Sequence, residues 1–134
     1  MNSILKFVAI GAGLWSGTVA AEATDLTIHL AGEAPVSRRV VQFQCDSTGV
    51  QLGLPAGAFP VEYLDGNGNS LAVLPIGGRS LIFANVISAS GARYAAGRYI
   101  WWDAGSRRGV HLYSDFDSLD GKKQATCHSV SPPK

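Results

Sequence analysis

The chain has 134 residues, a formal net charge of +1, a charged fraction of 16% and 16 glycines. That length suits one domain, and the near-neutral balance argues against a nucleic-acid binder, which would carry a basic face. Low charge with abundant glycine fits a β protein rich in tight turns rather than a helical bundle.

From the N-terminus, Met1 to Lys6 gives a short positive start, and Phe7 to Trp15 is an apolar run of signal-peptide length. Small residues follow at Gly17, Val19, Ala20, Ala21 and Ala23. A cut after Ala21 makes residues 1–21 a signal peptide, and a cut after Ala23 suits the peptidase equally. A single-pass anchor is the alternative, but the run falls short of the ~20 apolar residues of a bilayer span. Lys6 is the only charged residue of this leader, so its loss takes the formal charge from +1 to zero. No cysteine lies near the cut, so no stable membrane anchor is expected after cleavage. The mature protein is expected in the periplasm or secreted.

Residues 22–37 read as an N-terminal strand, at 26–30, and a connection, Ala31 to Ser37. The core domain then spans 38–130. Alternation of period two sets Arg39, Val41, Phe43 and Cys45 on one face, and later Val110, Leu112 and Ser114. Further strands are expected at 38–46, 49–54, 59–64, 70–75, 80–86, 98–103, 109–115 and 124–129. Turn signals separate them: Asp46 to Gly49, Leu54 to Gly57, Asp65 to Asn69, Gly77-Gly78 and Asp120-Gly121. The fold class is therefore all-β, a sandwich or a small antiparallel barrel of about eight strands. A barrel that small is filled by its own side chains. Cys45 and Cys127 lie near the two ends of this domain, and in an oxidising compartment two lone cysteines usually pair. Closing that loop would stabilise the fold by ~4 kcal/mol in the chain-entropy account. Two buried free thiols are the alternative.

The segment Ser88-Ala89-Ser90-Gly91-Ala92-Arg93-Tyr94 is a loop by composition, offering hydroxyls, a guanidinium and a phenol between hydrophobic strands. Such a loop suits binding, although an ordinary hairpin connection would look similar. Other candidates are weaker. Asp65 to Asn69 begins like a calcium loop, but Ser70 and Ile76 stand where glycine and glutamate are needed. Asp115, Asp117 and Asp120 read as a solvated turn. His29, His111 and His128 lack metal-ligand spacing, so no metal and no cofactor are expected, and His111 reads as a barrel-face residue. Ser90 is not in a Gly-x-Ser-x-Gly elbow, so catalysis has little support. Of Trp101 and Trp102, alternation turns one inward.

Ser88 to Tyr94 resembles the SASGARY signature of the membrane-bound and periplasmic inhibitors of c-type lysozyme, the MliC/PliC family. Gly97, the aromatic strand Tyr99-Ile100-Trp101-Trp102, Gly105, Phe43-Gln44-Cys45 and Thr126-Cys127 fit the same pattern, while Asp46 to Val86 matches loosely. The resemblance implies a small eight-stranded barrel that is not an enzyme and whose partner is c-type lysozyme. It also implies that Ser88 to Tyr94 enters the lysozyme cleft. Carried over by position, Ser90 reaches the catalytic carboxyls and Gly91 permits close backbone approach. Arg93 and Tyr94 support the loop or line the contact, and Ser88 belongs to the same lysozyme-binding set. The family's lysine in the turn after the tryptophan is replaced here by Ala104, beside Asp103; Arg107 and Arg108 are the candidate substitutes for its charge. The protein is expected to be a monomer or weak dimer. Two other classes stay open: a non-inhibitory cell-envelope binding or adhesin module on the same barrel, and a small-ligand carrier, for which the chain is short.

Overall fold

The computed structural model describes residues 23–114 and 123–131. The expected signal peptide and the Asp115, Asp117 and Asp120 cluster lie outside the described residues. Eight strands form a closed antiparallel barrel in simple up-and-down order. They are β1 (Ser37–Cys45), β2 (Phe59–Gly66), β3 (Asn69–Ile76), β4 (Arg79–Val86), β5 (Ala92–Ala96), β6 (Tyr99–Asp103), β7 (Val110–Ser114) and β8 (Gln124–Ser129). Each pairs with the next, and β8 returns to β1.

Period-two alternation builds the interior. Phe43, Phe59, Val61, Tyr63, Ala72, Leu74, Phe83, Tyr94, Trp101, Leu112 and Ala125 are buried in one cluster. Trp101 is at its centre, edge-on to Phe43 with ring centroids 5.2 Å apart. Its indole N–H donates to the Tyr63 hydroxyl at 2.9 Å, so the one polar atom of that ring is satisfied in the core. With fully buried side chains as large as Trp101, Phe59 and Phe83, the barrel interior is packed rather than hollow. Cys45 and Cys127 are bonded, as expected, and are directly opposed in the β1–β8 pairing.

Three expectations need correction. Residues 49–54 are not a strand: Ser47–Gln51 form a short helix, α1. The Asp46 carboxylate starts it, one oxygen accepting the Thr48 N–H and the other the Thr126 N–H, each at 3.1 Å. Leu52 and Leu54, whose alternation mimicked a strand, instead pack into the core beyond it.

Residues 26–30 are not a strand either; they run without regular structure, with Leu26, Ile28 and Leu30 exposed. Their alternation is strand-like, but a closed barrel has no edge left to pair with. Nearer the barrel, the Asn67 side chain donates to the Ala31 carbonyl, and Pro35 and Val36 pass against Gly66 at the end of β2.

The third correction is a strand not foreseen. Ala92–Ala96 is β5, so Arg93 and Tyr94 belong to the barrel wall rather than to a loop. Three alanines in five residues carry too little polarity contrast to reveal the alternation.

Candidate functional site

The β4–β5 and β6–β7 connections emerge at the same end of the up-and-down barrel. The first, residues 87–91, is short and tightly held. Gly91 has φ +67°, and a Cβ there would lie 1.9 Å from the Asp103 carbonyl oxygen. Only glycine fits so close to the end of β6 without displacing backbone. The Ser90 carbonyl accepts two hydrogen bonds, from the Ser88 hydroxyl and from the Trp102 indole N–H at 2.9 Å. The Asn85 side chain donates to the Arg93 carbonyl where β5 begins.

These bonds hold the main chain and the Ser88 hydroxyl, and they leave the tip free. Ser90 is exposed, and its own hydroxyl is unbonded among the described residues. Ile87, at the start of the loop, is 96% exposed, which is unusual for an isoleucine in a closed, well-packed domain.

Arg93 stands behind the loop. Its guanidinium donates to the Tyr113 hydroxyl and lies over that ring, 5.8 Å from the centroid. Its Nε is buried with no hydrogen-bond partner among the described residues. With Ser88, Ala89, Ser90, Trp102 and Tyr113 it lines a shallow cleft of about 260 Å³ under the loop. Tyr94 turns the other way. It is buried, its ring 5.8 Å from that of Tyr63 and its hydroxyl 3.3 Å from that of Ser70. Of the two roles open to Tyr94, burial favours support of the loop's base over contact with a partner.

The β6–β7 connection is a compact turn. Gly105 N–H donates to the Asp103 carboxylate at 2.9 Å, while Arg108 and Gly109 N–H both donate to the Gly105 carbonyl. One Asp103 oxygen is thus spent inside the turn, and Ala104 is buried against Gly91. From Ala104 no side chain reaches solvent. Arg107 and Arg108 are both exposed at the crest of this turn, with guanidinium groups unbonded among the described residues. The structure therefore brings Ser88, Ser90, Gly91 and Arg93 together, sets Arg107 and Arg108 on the neighbouring turn, and withdraws Tyr94 into the core.

Trp102 and Ile87 were not singled out from the sequence as site residues. Alternation around the core tryptophan signals the outward face of Trp102, but its bond to a loop carbonyl depends on a tertiary approach that no spacing encodes.

A family model described as membrane-bound lysozyme-inhibitor of c-type lysozyme matches residues 43–110. A Pseudomonas aeruginosa protein named membrane-bound lysozyme inhibitor of C-type lysozyme is 44% identical over 101 residues, 75% of this chain and 72% of that protein. A protein of the same name from Cupriavidus necator is 39% identical over 67 residues, 50% of this chain and 47% of its own. Among solved structures, Pseudomonas aeruginosa MliC in complex with hen egg white lysozyme is similar at a TM-score of 0.59 and 37% identity. That similarity covers 82% of this chain and all of the other.

Proposed function

The chain belongs to the family of membrane-bound lysozyme inhibitors of c-type lysozyme, and on that premise we propose that it binds c-type lysozyme and blocks the cleft with residues 87–91. The observation that carries this reading is the exposed, unbonded Ser90 hydroxyl on a loop whose main chain is already fixed. A loop ordered before binding loses little conformational freedom on docking, so more of the contact energy appears as affinity.

Lysozyme cleaves its substrate with one carboxylic acid of raised pKa and one ionised carboxylate facing the scissile bond. A hydroxyl between them donates to the ionised group and accepts from the protonated one. Ser90 supplies that hydroxyl. Gly91 keeps the loop narrow, and Ser88 and Arg93 support its base, with Tyr94 anchored below. Arg107 and Arg108 supply the positive charge that the family's lysine would bring, from the crest of the adjacent turn rather than from the buried Ala104. Charge-assisted bonds to a carboxylate are the stronger class. The protein acts by occupying the cleft and performs no chemistry of its own. A periplasmic or secreted location suits the leader at residues 1–21 and the Cys45–Cys127 bond, which persists in oxidising compartments.

The test is lysis of a peptidoglycan suspension by c-type lysozyme with increasing amounts of the mature protein. Wild type should protect in a dose-dependent manner. Ser90→Ala should weaken binding roughly 10- to 100-fold, the loss of a hydrogen bond to a charged group, with an unchanged melting temperature. Arg107→Ala with Arg108→Ala should weaken it as well. Absence of protection by folded, oxidised protein against several c-type lysozymes would overturn the reading and favour a non-inhibitory envelope module.

A further inference from the structure

One outward-facing row crosses half of the barrel directly beneath the two loops. Strand register sets Arg93 of β5 opposite Trp102 of β6, Trp102 opposite His111 of β7, and His111 opposite Thr126 of β8. From Trp102 onward the side chains touch in the same order. Trp102 and His111 lie with ring centroids 5.7 Å apart at 40°, and the Thr126 hydroxyl is 3.4 Å from His111 Nδ1. Cross-strand neighbours of this kind are the units through which a sheet holds its surface residues in place.

Two members of the row reach upward. The Trp102 indole N–H binds the Ser90 carbonyl of the first loop. His111 Nε2 lies 2.8 Å from the Arg108 carbonyl of the second. A carbonyl oxygen only accepts, so Nε2 is the donor in this bond, and the Thr126 hydroxyl lies beside Nδ1. The ring's orientation is thereby defined from both sides.

We infer that His111 is a positioning residue for lysozyme binding: packed against Trp102 and bonded to the Arg108 carbonyl, it sets the spacing between the Ser90 loop and the Arg107–Arg108 turn. The inference rests on the binding role proposed above and deepens it. Trp102 fixes one loop, His111 fixes the other, and the tilted contact between their rings makes a single device of two connections separate in sequence. The serine hydroxyl and the arginine charge must then meet a common target at a fixed separation. This is the geometry in which a ~1 Å displacement is costly.

The experiment combines a double-mutant cycle with amide exchange. His111→Ala should weaken wild-type binding to c-type lysozyme about tenfold, and His111→Gln, whose amide can still donate to the Arg108 carbonyl, should recover most of that loss. In an Arg107→Ala, Arg108→Ala background the effect of His111→Ala should fall below about twofold, because the groups it positions are gone. A merely structural residue would cost the same in both backgrounds. Independently of lysozyme, His111→Ala should accelerate exchange of the Arg108 and Gly109 amides while leaving that of β3 unchanged. Full affinity in His111→Ala, equal losses in both backgrounds, or unaltered exchange at Arg108 and Gly109 would each overturn the inference while wild type still binds. No binding by wild type would overturn the parent reading as well.

Discussion

Tyr63 accepts the Trp101 indole N–H deep in the barrel, and burial pushes its pKa up to about 12 because a phenolate there would lose its hydration. The folded value lies above the ordinary one of about 10, so the folded state holds the proton more tightly. The stabilisation is complete below about pH 10 and is lost as the pH climbs through about 12. Denaturant unfolding should therefore give a flat stability at neutral pH and a fall between about pH 10 and 12. Tyr63→Phe should cost ~1–3 kcal/mol at neutral pH, through the buried indole N–H left without a partner. It should also reduce the alkaline fall. An unchanged alkaline limb in that variant would show that Tyr63 does not contribute to it. Residues like these were partly readable in advance. Alternation said that one of Trp101 and Trp102 faces inward, and Trp101 does. Tyr94 was less legible, because the alanines around it hide which way the strand faces.

Among elements, the β1–β8 seam that closes the barrel is short. It has three paired positions, from Phe43 to Cys45, against seven between β1 and β2. The Cys45–Cys127 bond sits within that short seam and spans 82 residues of sequence. In the chain-entropy account a loop of that size stabilises by ~4 kcal/mol. Reduction, or Cys45→Ser with Cys127→Ser, should lower the melting temperature by roughly 10–20 °C. A shift of less than about 3 °C would mean that the seam holds without it. Seven of the eight strands were visible from alternation and turn residues. The remaining errors share one cause: alternation reports which side of a segment is apolar, not whether a neighbouring strand is available. Leu52 and Leu54 satisfy it by packing beyond a helix, and Leu26, Ile28 and Leu30 display it with no edge to join.

For the molecule as a whole, closure into a barrel leaves residues 23–30 outside the fold, exposed and without regular structure. A mature chain begun at Ala31 should keep its melting temperature within about 2 °C, since little apolar area is uncovered. It should also inhibit lysozyme as well as the longer form. A large loss of stability would mean that the apolar segment packs against the barrel in solution. The candidate site lies at one end of that barrel, and its location was legible because Ser88 to Tyr94 is so distinctive a run. The division of labour within the run was not, since it depends on where β5 begins.

The hold on the Ser90 loop passes through a main-chain carbonyl and a glycine pressed against a neighbouring carbonyl. Neither anchor depends on which side chain occupies position 90. Position 90 can therefore be rewritten with little cost to the scaffold, so on the proposed reading a lineage facing a changing lysozyme can alter the contact at that residue without disturbing the fold. The same freedom makes the barrel a ready framework for libraries that display short recognition loops.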